Sequence, residues 1–242
     1  MSSPTRLQLL GHASFRITTP EGRIILLDPW LGSNPFVPEA LREQARADVV
    51  LITHGHDDHL DPELPALLAR TGARVVAPAP VRFFLIEQGV PSEQCEPMNV
   101  GGSVALPHLQ LTMTVAHHAA HVDLPGGRTG YAHEGVGFVL RFSDGSVLYA
   151  AGDTALFGDM TLLAELYRPT VALLPIGDRY TMGPREAAHA ARLLRVAHVV
   201  PFHYGTFPSL TGTAEQLRQH LDPGIAVHAL QAGEELSLGE LR

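Results

Sequence analysis

The stretch Thr53-His54-Gly55-His56-Asp57-Asp58-His59 constrains this chain more than any other. Three histidines and two aspartates fall within six consecutive positions from His54. The apolar run Val49-Val50-Leu51-Ile52 precedes it, and Asp61-Pro62 follows, reading as an N-cap and a first helical position. The cluster thus sits where a strand ends and a helix begins. That is the carboxyl edge of a sheet, where ligands bind in α/β folds. His54 and His56 stand two apart, so an extended backbone points both to one side. Asp58 and His59 follow after the chain turns and are expected at a second, adjacent centre. Imidazole and carboxylate together suit zinc, manganese or iron. With no thiolate on offer, a structural cysteine-zinc site is not expected.

Other function classes are narrowed by composition. The 242 residues are 45% hydrophobic, enough for a sizeable core. Lys and Arg total 17 against 25 Asp and Glu, a net charge of −8 that argues against a general nucleic-acid-binding surface. Cys95 is the only cysteine, so no internal disulfide forms and a reducing cytoplasm fits. The apolar run near the N-terminus ends at Gly11-His12, too short for a signal peptide, and no later run reaches membrane-spanning length.

Along the chain, strands are expected from Leu7 to Leu10, Phe15 to Thr19 and Arg23 to Leu27, the last two joined by a Pro20-Glu21-Gly22 turn. A loop follows through Pro38, then a helix to about Arg46. Leu64, Leu67 and Leu68 give a helix that stops at Gly72. A strand from Leu109 to Val115 runs into His117-His118, and residues 119–135, without a period, read as a long loop beside the ligand candidates, of a kind often functional, with His121, His133 and Glu134 on it expected as plain surface residues. Phe138 to Ala151 echoes Phe15 to Leu27 as a weak internal repeat. Val171 to Ile176 and Val199 to Phe202 are further strands, a helix begins at Pro184, and Thr213 with Gln216 makes a capping box for the last helix. No low-complexity linker divides the chain, so residues 1–242 are expected to form one domain.

Strand ends then carry His54 with His56, His118, Asp153 and His203. If they share one edge of a layered sheet, they converge. One centre takes His54, His56 and His118; the other takes Asp58, His59 and His203. Asp153 is placed to bridge, because a carboxylate has two oxygens. Three protein ligands per metal plus a shared carboxylate leave a position open for water, the mark of a catalytic site.

At this point the sequence resembles the metallo-β-lactamase superfamily, and more closely its small single-domain hydrolases, relatives of ascorbate-6-phosphate lactonase-like proteins. Besides the histidine cluster, the motifs are Leu10-Gly11-His12-Ala13-Ser14-Phe15, Pro97-Met98-Asn99-Val100-Gly101-Gly102, Ala150-Ala151-Gly152-Asp153-Thr154, Pro175-Ile176-Gly177, Thr181-Met182-Gly183-Pro184 and His203-Tyr204-Gly205-Thr206-Phe207-Pro208. The resemblance implies an α/β fold, a four-layer αββα sandwich of two mixed sheets with outer helices. It also implies a hydrolase holding two divalent ions, Zn2+ or Mn2+, with Fe as a further option. A metal-activated hydroxide would then cleave a small ester, lactone or phosphodiester. A ribonuclease-like phosphodiesterase, a di-iron redox protein and a non-catalytic metal scaffold are the alternatives.

Around the ligands, Asp58 and His12 are candidates for proton transfer to the leaving group. Asp28 is expected to accept a hydrogen bond from a ligand histidine. Arg179 is a candidate for binding an anionic group. The expected partner is a small molecule rather than a membrane or a nucleic acid, with self-association left open.

Overall fold

The computed structural model describes residues 3–106 and 108–241. Its strands, in chain order, are β1 (Arg6–Gly11), β2 (Ser14–Thr18), β3 (Ile24–Leu27), β4 (Val49–Leu51), β5 (Arg74–Val76), β6 (Cys95–Glu96), β7 (Ser103–Leu106), β8 (Leu109–Leu124), β9 (Arg128–Arg141), β10 (Val147–Ala150), β11 (Val171–Pro175), β12 (His198–Phe202), β13 (Ala226–Val227) and β14 (Glu235–Ser237). They form two sheets, ordered β14-β1-β2-β3-β4-β5-β6 and β13-β12-β11-β10-β9-β8-β7. In the first sheet, β1, β2 and β3 pair antiparallel and β3 to β6 pair parallel. The second repeats this pattern, with β8, β9 and β10 antiparallel and β10 to β13 parallel. The internal echo in the sequence thus has a topological counterpart.

The alternation of side chains along each parallel strand fixes the layers. Ile25, Leu27, Val49 and Leu51 face Leu148, Ala150, Val171 and Leu173 in a core between the sheets. Phe15 meets Phe202 there edge to face, with ring centroids 6.0 Å apart. Fully burying a ring of this size contributes about 1.5–3 kcal/mol. The other faces are covered by helices. Leu26, Val50 and Ile52 pack on α2 (Leu64–Thr71) and α3 (Ala79–Glu87), after a short α1 (Glu39–Arg42). Ala172 and Leu174 pack on α4 (Met160–Tyr167), α5 (Pro184–Leu194) and α6 (Ala214–His220). The result is the expected αββα sandwich. The capping box of α6 forms, Thr213 Oγ1 accepting from Gln216 N. Among the described residues no helix is long and apolar enough to cross a membrane.

Three expectations are corrected. The segment 119–135 is not a loop but a β-hairpin arm, since β8 runs on to Leu124 and β9 starts at Arg128. Ala120 and Val122 are buried, and Val122, Leu124 and Tyr131 pack against the outer apolar layer of the first sheet. That tertiary contact stabilises pairing which a His- and Gly-rich sequence does not announce. The helix expected to reach Arg46 stops at Arg42. Asp61 is not the N-cap of α2, which is Glu63. Its carboxylate instead accepts from Leu31 N and Gly32 N at 2.7 and 2.8 Å and from Glu63 N at 2.8 Å, tying the loop after β3 to the cluster.

Candidate metal centre

The carboxyl ends of the parallel strands in both sheets open on the same edge. Asp28 follows β3, His54 follows β4, Asp153 follows β10 and His203 follows β12. His118 arrives differently. Between Val115 and Ala119 the register of β8 against β9 shifts. Such a bulge re-aims side chains. It is tethered to the Asp153 loop, with His117 N donating to Thr154 Oγ1 and Ala155 N to His117 O. His118 turns to the cluster while His117 stays exposed against Phe157.

Side-chain hydrogen bonds fix the orientation of two rings. The single hydroxyl proton of Thr53 goes to Asp28 Oδ2 at 2.7 Å. His54 Nδ1, 3.0 Å from Thr53 Oγ1, must therefore donate to that oxygen. His59 Nδ1 donates to Asp28 Oδ2 at 3.0 Å. Asp28 also accepts from Thr53 N at 2.7 Å. Both Nε2 atoms are left inward, and His54 Nε2, His59 Nε2 and Asp153 Oδ1 are all buried without a hydrogen-bond partner. These three ligand-type atoms lie within 4.8 Å of one another, and once His59 gives up its Nε2 proton all three are acceptors, an arrangement that fits a cation.

Ligand-type atoms assemble as two sets, linked by a third made of His54, His59 and Asp153. His54, His56 and His118 form one, with His118 Nε2 3.3 Å from His56 Nδ1. His12, Asp58, His59 and His203 form the other. Asp153 lies between them: Oδ2 is 3.0 Å from His203 Nε2 and 3.8 Å from His118 Nε2, and Oδ1 is 3.5 Å from His59 Nε2. Asp58 Oδ2 stands 3.6 Å from His203 Nε2 and 3.2 Å from His12 Nε2.

Charge is distributed unevenly across the cluster. Burial alone would lower His203, but the Asp153 and Asp58 carboxylates override it and push it up to about 9. His59 is held well above its ordinary value in the same way, chiefly by Asp153 and Asp58. Burial would raise both aspartates, yet His59 and His203 keep them well below the usual carboxylate range. Burial lowers His12 and His56 to about 4 and depresses His54 and His118 as well. Neutral His12 donates from Nε2 to Asp58 and accepts at Nδ1 from Thr206 Oγ1 at 2.8 Å. His12, Asp28 and His203 all hold left-handed backbone, at φ 56°, 43° and 56°. Such strain in non-glycine residues gathers at functional sites.

Every residue expected in the cluster is brought into it except Arg179. That side chain is exposed on the loop after β11, and no hydrogen bond or ion pair joins it to the ligands. Sequence reasoning missed Thr53, Thr206 and His121, whose ring lies 4.8 Å from that of His56. Thr53 directly precedes His54 and Thr206 follows His203 by three residues, a signal too common to single them out.

An αββα sandwich with nitrogen and oxygen donors converging from both sheets defines a metallohydrolase architecture. Comparison with known proteins agrees. The family model for the beta-lactamase superfamily domain matches residues 23–204. The UPF0173 metal-dependent hydrolases of Rubrobacter xylanophilus and Herpetosiphon aurantiacus are 48% and 44% identical, over 98% and 95% of this chain and 98% and 96% of theirs. Igni18, a metallo hydrolase of Ignicoccus hospitalis, is 32% identical with a TM-score of 0.82, covering 97% of this chain and 98% of that one. The chain belongs to the metallo-β-lactamase superfamily, among its metal-dependent hydrolases.

Proposed function

We propose that this enzyme is a dinuclear hydrolase of small esters, lactones or phosphodiesters. The carrying observation is the pair of ligand sets with Asp153 between them: Asp153 groups with His54 and His59 in a third set and stands 3.8 Å from His118 Nε2 and 3.0 Å from His203 Nε2. His54, His56, His118 and Asp153 would hold one divalent ion, and Asp58, His59, His203 and Asp153 the other. The all-nitrogen-and-oxygen donor set suits Zn2+ or Mn2+. Two such ions, when bound, supply electrophilic polarisation of the substrate and acidification of a water.

The chain's own groups do the rest. Asp28, directly and through Thr53, holds one imidazole of each set in the tautomer that presents Nε2. His12 orients the Asp58 carboxylate from one side. Asp58 is 19% exposed at its side chain, the most open carboxylate of the cluster, and stays ionised. It is the group placed to take a proton at Oδ2 and pass it to a leaving group, with His12 holding it in position. Because both sheets contribute ligands, residues 1–242 are read as one hydrolase domain. The net charge of −8 favours a small molecule over nucleic acid, and the lone, buried Cys95 is compatible with a cytoplasmic setting.

The test is metal analysis joined to turnover. Zinc- or manganese-loaded protein is assayed on an aryl phosphodiester, a carboxyl ester and a lactone, with a chelated sample alongside. Two metals per chain with chelator-sensitive turnover support the reading. One metal per chain, or turnover indifferent to chelation, overturns it.

A further inference from the structure

Resting on the reading of this cluster as a hydrolytic site, we propose that Phe207 sets substrate selectivity. With Trp30 behind it, Phe207 forms a fixed aromatic shelf on the Asp58–His12 flank. The shelf receives a flat, apolar substituent of the substrate, an aryl group above all.

Ring contacts lead from the ligands to the shelf. The His12 ring lies 4.2 Å from that of His203 and 5.9 Å from that of His59. Phe207 packs edge to face on His12 at 5.7 Å and stacks on Trp30 at 6.2 Å, with an interplanar angle of 25°. Trp30 itself stands edge to face with His12 at 5.6 Å. Trp30 is nearly buried at 6% exposure, whereas Phe207 is 38% exposed and Phe36, on the loop after Trp30, is 49% exposed. Apolar rings left open beside a reaction centre, rimmed by polar groups, mark a binding surface.

Both loops that carry the shelf are pinned. Trp30 Nε1 donates to Ser33 Oγ at 2.6 Å and Trp30 N to Ser14 Oγ at 3.1 Å. Buried Asn34 donates to Trp30 O and accepts from Phe36 N. Beside Phe207, Thr206 is bonded to His12, and Leu210 N donates to Phe207 O at 2.9 Å. Little ordering is left for a ligand to pay. The opposite flank is polar: half-buried His121 lies 3.3 Å from exposed Asp123, next to His56. A substrate whose reacting group sits at the cluster therefore meets a flat apolar wall on the His12 side.

The probes are phenylphosphonate and methylphosphonate, which share an anionic head and differ by the ring. Their Kd values are measured calorimetrically on the metal-loaded full chain, so the readout does not need turnover. The phenyl compound should bind more tightly by roughly two- to tenfold, the scale of one aromatic contact. Phe207→Ala should bring the ratio close to one, Phe207→Leu should retain part of it, and Phe83→Ala, on the outside of α3, should leave it intact. No ring preference in the unmutated protein, or a preference that survives Phe207→Ala, overturns the proposal, even if hydrolysis and metal stoichiometry stand. A change of oligomeric state in Phe207→Ala with the ring preference unaltered would make the shelf an interface between copies and equally overturn it.

Discussion

His59 and Asp28 meet across the gap between β3 and the histidine loop, Nδ1 lying 3.0 Å from Oδ2. The same carboxylate oxygen takes the Thr53 hydroxyl, which in turn receives His54 Nδ1. One buried carboxylate therefore orients a ring in each ligand set. Asp28→Asn keeps the volume but puts an amide where two donors converge. Metal affinity should fall about 10- to 100-fold, the usual cost of losing an outer partner of a metal ligand, with loss at both positions together. Metal titration followed by equilibrium dialysis checks this; a selective loss at one position would sink the shared-orienter account.

Asp153 stands between the two sets and is 2% exposed. Asp153→Ala should leave a folded protein that retains at most one ion per chain, with hydrolysis reduced about a hundredfold or more. His189→Ala, exposed on α5, is the matched control and should alter neither quantity. Elemental analysis and far-UV circular dichroism on the two variants decide the matter. Full activity in Asp153→Ala would rule out a shared carboxylate.

The titrating groups give the metal-free protein a stability maximum near neutrality. His203 rises from 6.5 to about 9 on folding, so its contribution is complete below 6.5 and is lost as pH climbs through about 9. His12 and His56 fall from 6.5 to about 4, so theirs is present above 6.5 and is lost as pH drops toward about 4. Melting temperature in chelator should therefore decline on both sides of about pH 6.5. Metal uptake must displace the protons on His59 and His203, so affinity should climb with pH through that alkaline window. A chelated protein whose melting temperature rises steadily from pH 6 to 9 would contradict the assignment of charge.

How much of this was legible in the sequence depended on the range of the interactions involved. The ligands on strand ends could be read because short apolar runs deliver them: Val49 to Ile52 before His54, and Val199 to Phe202 before His203. The alternation of Ile24 to Leu27 between two apolar layers likewise follows from a run with no polar break. The hairpin arm was not legible. It buries little more than Ala120 and Val122 along its outer half, and what holds it is a layer contributed by residues tens of positions away. The role of Asp61 escapes the sequence for a related reason, since two of its three backbone donors, Leu31 N and Gly32 N, come from a different loop. A loop leaves His121 at the surface, whereas the arm brings its ring to 4.8 Å from that of His56.

The arm also explains why a glycine separates His54 from His56. A Cβ on Gly55 would stand 2.7 Å from Val122 Cγ2 and 2.8 Å from the carbonyl oxygen of His121. The first neighbour is a side chain that can turn; the second is backbone and cannot yield without moving the arm. Gly55→Ala should therefore push the histidine loop and the arm apart, costing about 1–3 kcal/mol and weakening the set built from His54, His56 and His118 more than the set built from Asp58, His59 and His203. Adding Val122→Ala removes only the side-chain clash, so the double variant should stay impaired. Differential scanning calorimetry with metal counting tests both. A Gly55→Ala protein with unchanged melting temperature and full metal content would show that the arm is free to retreat, and that the close approach does not hold the loop in place.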